Sequence, residues 1–425
     1  MRMRNKTFLA LTMMLVLSGA IFIGGTNYAL ANPSPTNIPT FSTGPYPGAP
    51  TYTVYTNDSW YYAKNAYGAI IYSSTNATQI IMSVAQNYSH IYLKASKSNP
   101  ILITSPIILA NKQFITFEGT AAFDEILWLA NGANCDMWKV FGSCHQIEWI
   151  HLGMYGNIYG ESVPCNGITF YGGGGTAKAT DCHITDCSIV WFTGHAIYIE
   201  TELYASTITN NYLENCANGD AIRAMNLLDS IVSNNIIWNT REAIWIDASL
   251  HNCQDNIISS NLIFNVTYQA IGIYSSTGDI VSDNWISYAG TIGIDIRNSN
   301  RIKVQGNHLN AITQHGIYLH TVNESTIEGN TLAGCSFYAD NTYDGIWIGS
   351  AGSGVSGWNI ISGNIITSEN TMCNMKYGID ELAGFLADYN LFHGNIVRGA
   401  DTQDIAIHGV HSKGYDNFNS TGYIP

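Results

Sequence analysis

The sequence has few charged side chains, and proline is missing from most of its length. Only 11% of the 425 residues are charged, whereas soluble domains average about a quarter. Hydrophobic residues make up 46% and aromatic residues 12% of the chain, which excludes an intrinsically disordered protein. No proline occurs from Cys165 through Tyr423. Every residue of that stretch therefore keeps the backbone N–H that a strand paired on both sides must donate.

The shortage of basic residues limits the partners that we expect. Three of the 17 lysines and arginines lie within the first six residues, which leaves 14 basic residues against 31 acidic ones and a formal charge of −17. Phosphate contacts require a basic face, so the sequence predicts no nucleic-acid partner. Docking of a polybasic segment on a membrane is excluded for the same reason.

The N terminus is typical of an export signal. Arg2, Arg4 and Lys6 form a positive region, and a nearly uninterrupted apolar run follows from Phe8 to Ile23. The small residues around position 31 form a cleavage site. An uncleaved membrane anchor is the alternative. No second apolar run is long enough to span a bilayer, so we predict a secreted or cell-surface protein with no transmembrane segment after signal removal.

Composition and rhythm divide the rest of the chain. Six of the ten prolines lie between residues 32 and 50, as in a linker or an extended tail. The predicted segments are the signal peptide at 1–31, the proline-rich linker at 32–50, an N-terminal entry and cap segment at 51–110, structural repeats at 111–410 and a polar C-terminal tail at 411–425.

The entry segment combines one helix with short strands. Residues 78–87 can form an amphipathic helix, with Ile80, Ile81 and Val84 on one side. Strand-like runs follow at Ile91–Leu93 and Ile107–Leu109. We expect the helix to cover the first edge of the repeats, because an open sheet edge invites association.

The cysteines allow two interpretations. The nine cysteines are an odd number, so at least one is unpaired or forms an intermolecular bond. Export permits disulfides, but buried thiols stacked inside the repeats are an equal alternative. Their spacing matches no zinc motif.

Two short motifs recur with a period near 23 residues. In the first, an asparagine precedes a short apolar segment, at intervals of 24, 26, 23, 23, 23, 34 and 31 residues. These asparagines are Asn211, Asn235, Asn261, Asn284, Asn307, Asn330, Asn364 and Asn395. In the second, a small residue precedes isoleucine, at Gly167, Ala196, Ala221, Ala243, Ala270, Gly293, Gly316, Gly345 and Gly378.

This period, with two short alternating strands in each repeat, predicts an all-β right-handed parallel β-helix of about 10–12 coils stacked about 4.8 Å apart. Leucine-rich repeats share the period but require a leucine pattern that is absent. One coil cannot bury its own apolar side, so neighbouring coils share a core. We expect each recurring asparagine to lie at a corner and bond the asparagine of the next coil. The small residue avoids a Cβ clash at another corner.

The entry segment carries a family resemblance. After the helix come SHIYLKA, ILITSPIIL and ITFEG, a pattern that resembles the start of pectate-lyase-like and phage-tailspike-like domains. The resemblance to the pectate-lyase-like superfamily spans about residues 60–410 and rests on core and corner residues. It implies the fold, and an exported protein that binds or acts on polysaccharide.

Stacking turns sequence positions into surface columns. The residue before each small-isoleucine pair reads His195, Asp220 and Glu242 on three consecutive coils. In family-28 polygalacturonases, which the fold resembles, catalytic aspartates and a nearby histidine occupy this kind of position. Two carboxylates about 5 Å apart can hold one proton between them, as glycoside cleavage requires. We predict Asp220, Glu242, His195 and Arg223 as catalytic residues.

The same face offers candidate binding residues. Carboxylates, arginines, histidines and flat aromatic rings alternate along it, and rings of this kind pack against sugars. The predicted substrate-binding residues are Trp245, Asp247, Asp295, Arg297, His315, Tyr318, His320, Asp344 and Trp347. Arg223 or Arg297 could stabilise or deprotonate a uronate, and Asp220, Glu242 and Asp247 could hold Ca²⁺, which prefers oxygen ligands.

Several features leave the activity open between a polysaccharide lyase, a glycoside hydrolase and a non-catalytic surface protein. Ile292 stands where a polygalacturonase aspartate would be, and the epimerase signature Asp-Pro-His-Asp is absent. Polar columns and stacked aromatic rings also stabilise sheets without any ligand. The acidic chain fits a neutral glycan, or an acidic one bound through Ca²⁺. A homotrimer would fit the fold, but no sequence feature indicates it.

Overall fold

The computed structural model describes residues 50–424, apart from residues 58, 125, 173–177, 217, 250, 351–353, 369–372, 385 and 421. The predicted signal peptide and nearly all of the linker lie outside the described residues. The described chain is a parallel β-solenoid of about 12 turns, as the repeat spacing predicts. Its strands, numbered β1 to β47 along the chain, form three long sheets and one short pair.

Sheet 1 has 19 strands among the described residues. Most coils contribute one or two short strands to it. Its strands are β1 (Tyr52–Asn57), β2 (Trp60–Asn65), β3 (Ile70–Ser74), β4 (Ser89–Lys94), β7 (Gln113–Gly119), β10 (Cys144–Ile150), β13 (Lys178–Thr180), β14 (His183–Thr185), β17 (Glu202–Tyr204), β18 (Thr207–Thr209), β21 (Leu227–Leu228), β22 (Ile231–Ser233), β25 (Ile257–Ser259), β28 (Ile280–Ser282), β31 (Lys303–Gln305), β34 (Thr326–Glu328), β38 (Ile360–Ser362), β42 (Leu391–His393) and β45 (Lys413–Tyr415).

Sheet 2 follows sheet 1 in each coil and has 14 strands in the described chain. They are β5 (Ile101–Ile103), β8 (Leu127–Leu129), β11 (Gly153–Tyr155), β15 (Ser188–Val190), β19 (Tyr212–Glu214), β23 (Ile236–Trp238), β26 (Leu262–Val266), β29 (Trp285–Ala289), β32 (His308–Ile312), β35 (Thr331–Cys335), β39 (Ile365–Thr367), β43 (Ile396–Arg398), β46 (Asn417–Asn419) and β47 (Gly422–Ile424).

Sheet 3 carries the small-isoleucine motif and has 12 strands in the part of the chain described. They are β6 (Ile107–Ala110), β9 (Trp138–Phe141), β12 (Ile168–Tyr171), β16 (Ile197–Ile199), β20 (Ile222–Ala224), β24 (Ile244–Asp247), β27 (Ile271–Tyr274), β30 (Ile294–Arg297), β33 (Ile317–His320), β36 (Ile346–Gly349), β40 (Tyr377–Glu381) and β44 (Gln403–Ala406). The short pair consists of β37 (Ser356–Gly357) and β41 (Ala387–Asp388).

The helix α1 (Ala77–Val84) packs against the first strands of the solenoid. It ends three residues before the predicted boundary, and its side chains at Ile80, Ile81 and Val84 are buried as expected. The Asn76 side chain accepts the backbone N–H of Gln79, which satisfies one free donor of the first turn. A single 3₁₀ turn, Ala122–Asp124, is the other short helical element described.

Two edge structures differ from the sequence prediction. Strands β1, β2 and β3 form an antiparallel meander at the first edge of sheet 1, where β1 pairs with β4. At the other end, the predicted polar tail at 411–425 continues the solenoid. Strand β45 pairs with β42, and the β46–β47 hairpin extends sheet 2. The prediction of a tail was wrong because these strands carry few isoleucines and valines.

The core consists of inward-facing isoleucine, leucine and valine side chains from all three sheets. Isoleucines at equivalent positions stack coil upon coil, as Ile271, Ile294 and Ile317 do in sheet 3. Seven of the nine cysteines are buried as free thiols, and Cys135 and Cys373 are partly exposed. Of the two interpretations of the cysteines, the structure therefore agrees with buried thiols inside the repeats.

The recurring asparagines form a continuous ladder at the corner between sheets 1 and 2. From Asn235 onward, each amide oxygen accepts both the backbone N–H and the side-chain N–H of the preceding asparagine, at 2.9–3.1 Å. The ladder extends one coil beyond its predicted end at Asn395, because Asn395 donates to Asn417. The sequence prediction of an inward amide ladder is confirmed.

The residue before each ladder asparagine turns the corner with a positive φ, as at Asn210 (59°) and Gly306 (64°). Glycine and asparagine tolerate this left-handed conformation better than other residues. At another corner, a Cβ on Gly316 would lie 2.7 Å from the Gly345 carbonyl oxygen. Close stacking of neighbouring coils therefore explains why this position is small.

Candidate functional site

The exposed face of sheet 3 brings the predicted site residues into register. Strand pairing aligns one residue from each successive coil, in the order Tyr198, Arg223, Trp245, Gly272, Asp295, Tyr318, Trp347 and Asp380. The neighbouring column contains Asp247, Tyr274, Arg297, His320 and Gly349. We call these two columns, with the polar residues that precede the strands, the sheet 3 face.

The upstream part of this face holds the four predicted catalytic residues. Asp220 and Glu242 lie on adjacent coils and share Arg241. The Arg241 Nε atom lies 3.4 Å from Asp220 Oδ1, and its Nη2 atom lies 3.1 Å from Glu242 Oε2. Arg223 Nη1 approaches Asp220 Oδ2 at 3.4 Å, and His195 Nδ1 lies 3.6 Å from the same atom. We call these five residues the upstream cluster.

Burial dominates the electrostatics of the upstream cluster. The Asp220 side chain is 0% exposed and that of Glu242 is 4% exposed. Burial and the adjacent Asp220 raise the pKa of Glu242, which favours its neutral form. Burial lowers the pKa of His195, against the opposing effect of Asp220. The His195 Nδ1 atom accepts the backbone N–H of Asp220 at 2.9 Å, so the neutral ring carries its proton on Nε2.

The column that precedes the strands also has a structural role. Its side chains accept backbone N–H groups from the next coil, at 2.7–3.3 Å. The acceptors are Asp136, Asn166, His195, Asp220, His315 and Asp344. A buried N–H without a hydrogen-bond partner destabilises a fold. These polar residues therefore stabilise the corner, independently of any catalytic or binding role.

The predicted calcium site is replaced by ion pairs. Arg223 contacts both Asp220 and, at 3.7 Å, Asp247, while Arg241 bridges Asp220 and Glu242. Within the described ranges, no group of three or more metal-ligating side chains comes together. The guanidinium groups occupy the positions that a cation would need, so these residues do not fit Ca²⁺. The sequence prediction missed Arg241 because Arg241 lies one residue before the column that precedes the small-isoleucine motif.

The middle of the face is organised around Arg297. Its Nη2 atom donates to Asp295 Oδ2 at 2.8 Å and its Nε atom donates to Asp295 Oδ1 at 2.9 Å. The guanidinium lies 5.2 Å from the ring centroids of both Tyr274 and Tyr318. Tyr274 donates its hydroxyl to Asp295 at 2.6 Å. Asp295 is thereby buried beneath its neighbours, and the exposed groups here are aromatic edges and the guanidinium.

Downstream, aromatic rings stack across coils. The Tyr318 and Trp347 rings lie 4.4 Å apart at 8° to each other, and the His320 ring is nearly parallel to Trp347 at 6.4 Å. Upstream, Arg223 covers the Trp245 ring at 4.4 Å. Each ring is held by a neighbour from the adjacent coil, so the platform is preformed.

Carboxylates and histidines meet again at the downstream end. His315 Nδ1 lies 3.3 Å from Asp344 Oδ2 and accepts the backbone N–H of Asp344 at 3.1 Å. Asp380 follows Trp347 in the exposed column. Burial, and then Asp344, raise the pKa of Asp380 to about 6. Asp380 is not among the predicted site residues, because the proximity of Asp344 depends on side-chain direction.

The comparison with family models decides the family. The model for the right-handed β-helix region matches residues 157–307 and 249–400, which together cover more than half of the chain. The chain belongs to the right-handed β-helix family. The predicted resemblance to pectate-lyase-like proteins is confirmed at the level of the fold.

Solved structures of this fold include enzymes and a viral protein. The A-module of the Azotobacter vinelandii mannuronan C-5 epimerase AlgE6 is 14% identical, with a TM-score of 0.61 over 81% of this β-helix protein and 94% of the module. The Dettilon tailspike protein is 16% identical, with a TM-score of 0.58 over 78% of this chain and 63% of its own.

A third similar structure is the DFA-IIIase from Arthrobacter chlorophenolicus A6, which is 13% identical. Its TM-score is 0.55, over 79% of this chain and 95% of the enzyme. At these identities the likeness shows the fold alone. A search of curated proteins finds no match.

No helix in the described part of this β-helix protein is long and apolar enough to cross a bilayer.

Proposed function

We propose that this β-helix protein is exported, binds a polysaccharide along the sheet 3 face, and hydrolyses it there. The observation that carries the proposal is the preformed row of aromatic rings and guanidinium groups from Trp245 to Trp347. Aromatic rings pack against the apolar faces of sugars, while fixed polar groups orient the hydroxyls. The row crosses several coils, so its length suits a chain rather than a single sugar.

The charges of the face favour a neutral polysaccharide. Arg223, Arg241 and Arg297 are each already paired with a carboxylate. A uronate would have to displace those carboxylates and leave them buried without a partner, which is strongly unfavourable. Elimination from a uronate also needs a free cationic group near the carboxylate. Hydrolysis of a neutral polysaccharide by a protonated carboxyl group requires neither the displacement of these carboxylates nor a free cationic group.

Two of the similar structures support a carbohydrate substrate by their names. One is a mannuronan epimerase, and the DFA-IIIase structure is of a complex with GF2. Both share the solenoid at low identity, so they support the class of ligand and leave its identity open. The predicted signal peptide supports export.

The test is affinity electrophoresis of the chain in gels that contain xylan, mannan, β-glucan, pectate or alginate. We expect retardation by at least one neutral polysaccharide. Trp347→Ala should weaken that binding at least about tenfold, or about 1.4 kcal/mol, because the variant removes one ring of a preformed stack.

The matched control is Trp285→Ala on sheet 2. Trp285 is exposed to 40% and stacks on His308 at 4.1 Å, so the substitution removes a comparable ring from another face. We expect this variant to bind like the unchanged chain. Equal loss in both variants, or no retardation by any of the five polysaccharides, would contradict the proposal.

A non-catalytic glycan-binding role is the second candidate. The observation that favours it is the backbone capping by the polar column, because His195, Asp220 and Asp344 have a structural function without any reaction. Binding with no release of reducing ends from the bound polysaccharide would establish this second candidate.

A further inference from the structure

The aromatic stack of the sheet 3 face ends beside a carboxylate. The rings of Tyr318 and Trp347 are nearly parallel across coils, so the far side of Trp347 is turned toward the next coil. There the column continues with the half-buried Asp380 and then with the buried Ala406. A ligand ring that packs on the part of Trp347 left open by its neighbours would lie beside Asp380.

Asp380 differs from the other carboxylates of the face. It is half-buried, and within the described residues its carboxyl group has no hydrogen-bond or ion-pair partner. Asp220 and Glu242, by contrast, are almost fully buried and covered by Arg241. A glycosidic oxygen could reach Asp380 without displacing an arginine, whereas the upstream pair is closed to it.

The surroundings of Asp380 suit a proton donor. Asp344, on the adjacent coil, is buried and is held by the backbone N–H of Tyr377 at 3.1 Å and by His315. Burial and Asp344 raise the pKa of Asp380, and His408, Lys376 and His315 oppose that effect. The resulting value of about 6 leaves a useful protonated fraction in mildly acidic and neutral solution.

We propose that Asp380 is the catalytic acid of the hydrolysis, with the sugar before the cleaved bond packed on Trp347. The inference rests on the proposed function. The bond between the anomeric carbon and the glycosidic oxygen breaks, and Asp380 gives its proton to that oxygen. Water adds to the anomeric carbon, and the proton that this water loses restores the acid form of Asp380. The upstream cluster then holds and orients the chain, and the proton transfer takes place five to seven coils away.

The test is Asp380→Asn, assayed on the polysaccharide that the unchanged chain binds and cleaves. The amide keeps the shape but cannot donate the proton. We expect kcat to fall about 100-fold or more, with binding on the electrophoresis gel unchanged. The unchanged enzyme should lose activity as the pH rises through about 6, because Asp380 loses its proton there.

A readout of leaving-group chemistry separates proton donation from a structural role. A 2,4-dinitrophenyl glycoside of the same sugar needs no acid, because its leaving group departs as a stable anion. Asp380→Asn should therefore keep most of its activity on that glycoside. Asp283→Asn, the same substitution at an exposed corner with φ 56°, is the control and should leave both activities unchanged.

The outcomes distinguish the two proposals. Full polysaccharide activity in Asp380→Asn overturns the assignment of the acid while the proposed function stands. Equal loss on both substrates also overturns it, since that loss indicates misfolding or misplaced substrate. Binding without cleavage by the unchanged chain overturns hydrolysis together with the acid, and failure to bind any polysaccharide overturns the proposed function itself.

Discussion

Asp279 is an acidic residue in a corner column that carries Ser230 and Asn256 on the two preceding coils and Ile302 on the next one. Its Oδ1 atom accepts the backbone N–H and the side-chain N–H of Asn256, at 2.9 and 3.0 Å, and Ser276 donates to its other oxygen. It is fully buried, and burial raises its pKa to about 6. Once the pH exceeds that value, Asp279 is ionised in the native protein, and its buried charge lowers the free energy of unfolding.

Asp279→Asn should stabilise the protein at neutral pH but not in acid. The unfolded chain loses this proton near pH 4 and the folded chain near pH 6, so stability falls as the pH rises between them. Removing the charge should add about 3 kcal/mol at pH 7 and almost nothing near pH 3.5. Thermal unfolding at the two pH values measures this. Asp229→Asn, an exposed corner residue, should change neither midpoint.

At the residue scale, the repeat predicts positions and not contacts. The columns from Tyr198 to Asp380 could be read from the period alone, because each coil repeats the same path. The partners of Asp220 could not. Arg241 lies in a loop outside the regular strands and contacts Asp220 through its long side chain. The repeat period does not specify where such a flexible side chain points.

The asparagine ladder is the element that fixes the register of the coils. Asn307 shows its density of hydrogen bonds, since its oxygen accepts two N–H groups of Asn284 and its amide donates to Val281 and Asn330. All of these groups are buried in the solenoid wall. Without Asn307, these buried groups would lose their protein partners.

Asn307→Ala should lower the free energy of unfolding by about 3 kcal/mol or more. The variant leaves two donors of Asn284 and the carbonyl of Val281 unsatisfied, at about 1–3 kcal/mol each. Chemical unfolding followed by circular dichroism measures the loss. Asn310→Ala, on the exposed side of β32, serves as the control. A loss below about 1 kcal/mol would show that the corner relaxes or admits water.

At the element scale, repetition made the middle of the solenoid predictable and left its ends undefined. The strands with isoleucine, and the corner with asparagine, follow from a pattern that recurs many times. The meander β1–β3 and the hairpin β46–β47 occur once each, and their pairing is antiparallel. Such edge structures depend on which backbone groups the last coil leaves open, and a single sequence contains no second example of them.

For the molecule as a whole, about 12 turns produce one long face with two chemically different ends. Upstream, arginines pair with the carboxylates. Downstream, the aromatic stack stops beside Asp380, whose carboxyl group has no ion-pair partner among the described residues. The sequence predicted the face and its residue types. It predicted the catalytic residues upstream, where the structure shows buried carboxylates paired with arginines. The period could not show this, because burial and pairing depend on the assembled coils.

A crystal structure of the Asp380→Asn variant with an oligosaccharide of the bound polysaccharide tests the central claim most directly. The account predicts a sugar chain lying along the sheet 3 face. One of its rings should pack on the side of Trp347 away from Tyr318, with a glycosidic oxygen within hydrogen-bond distance of residue 380. A sugar bound elsewhere, for example over the exposed rings of Trp358 and Tyr389, would contradict it.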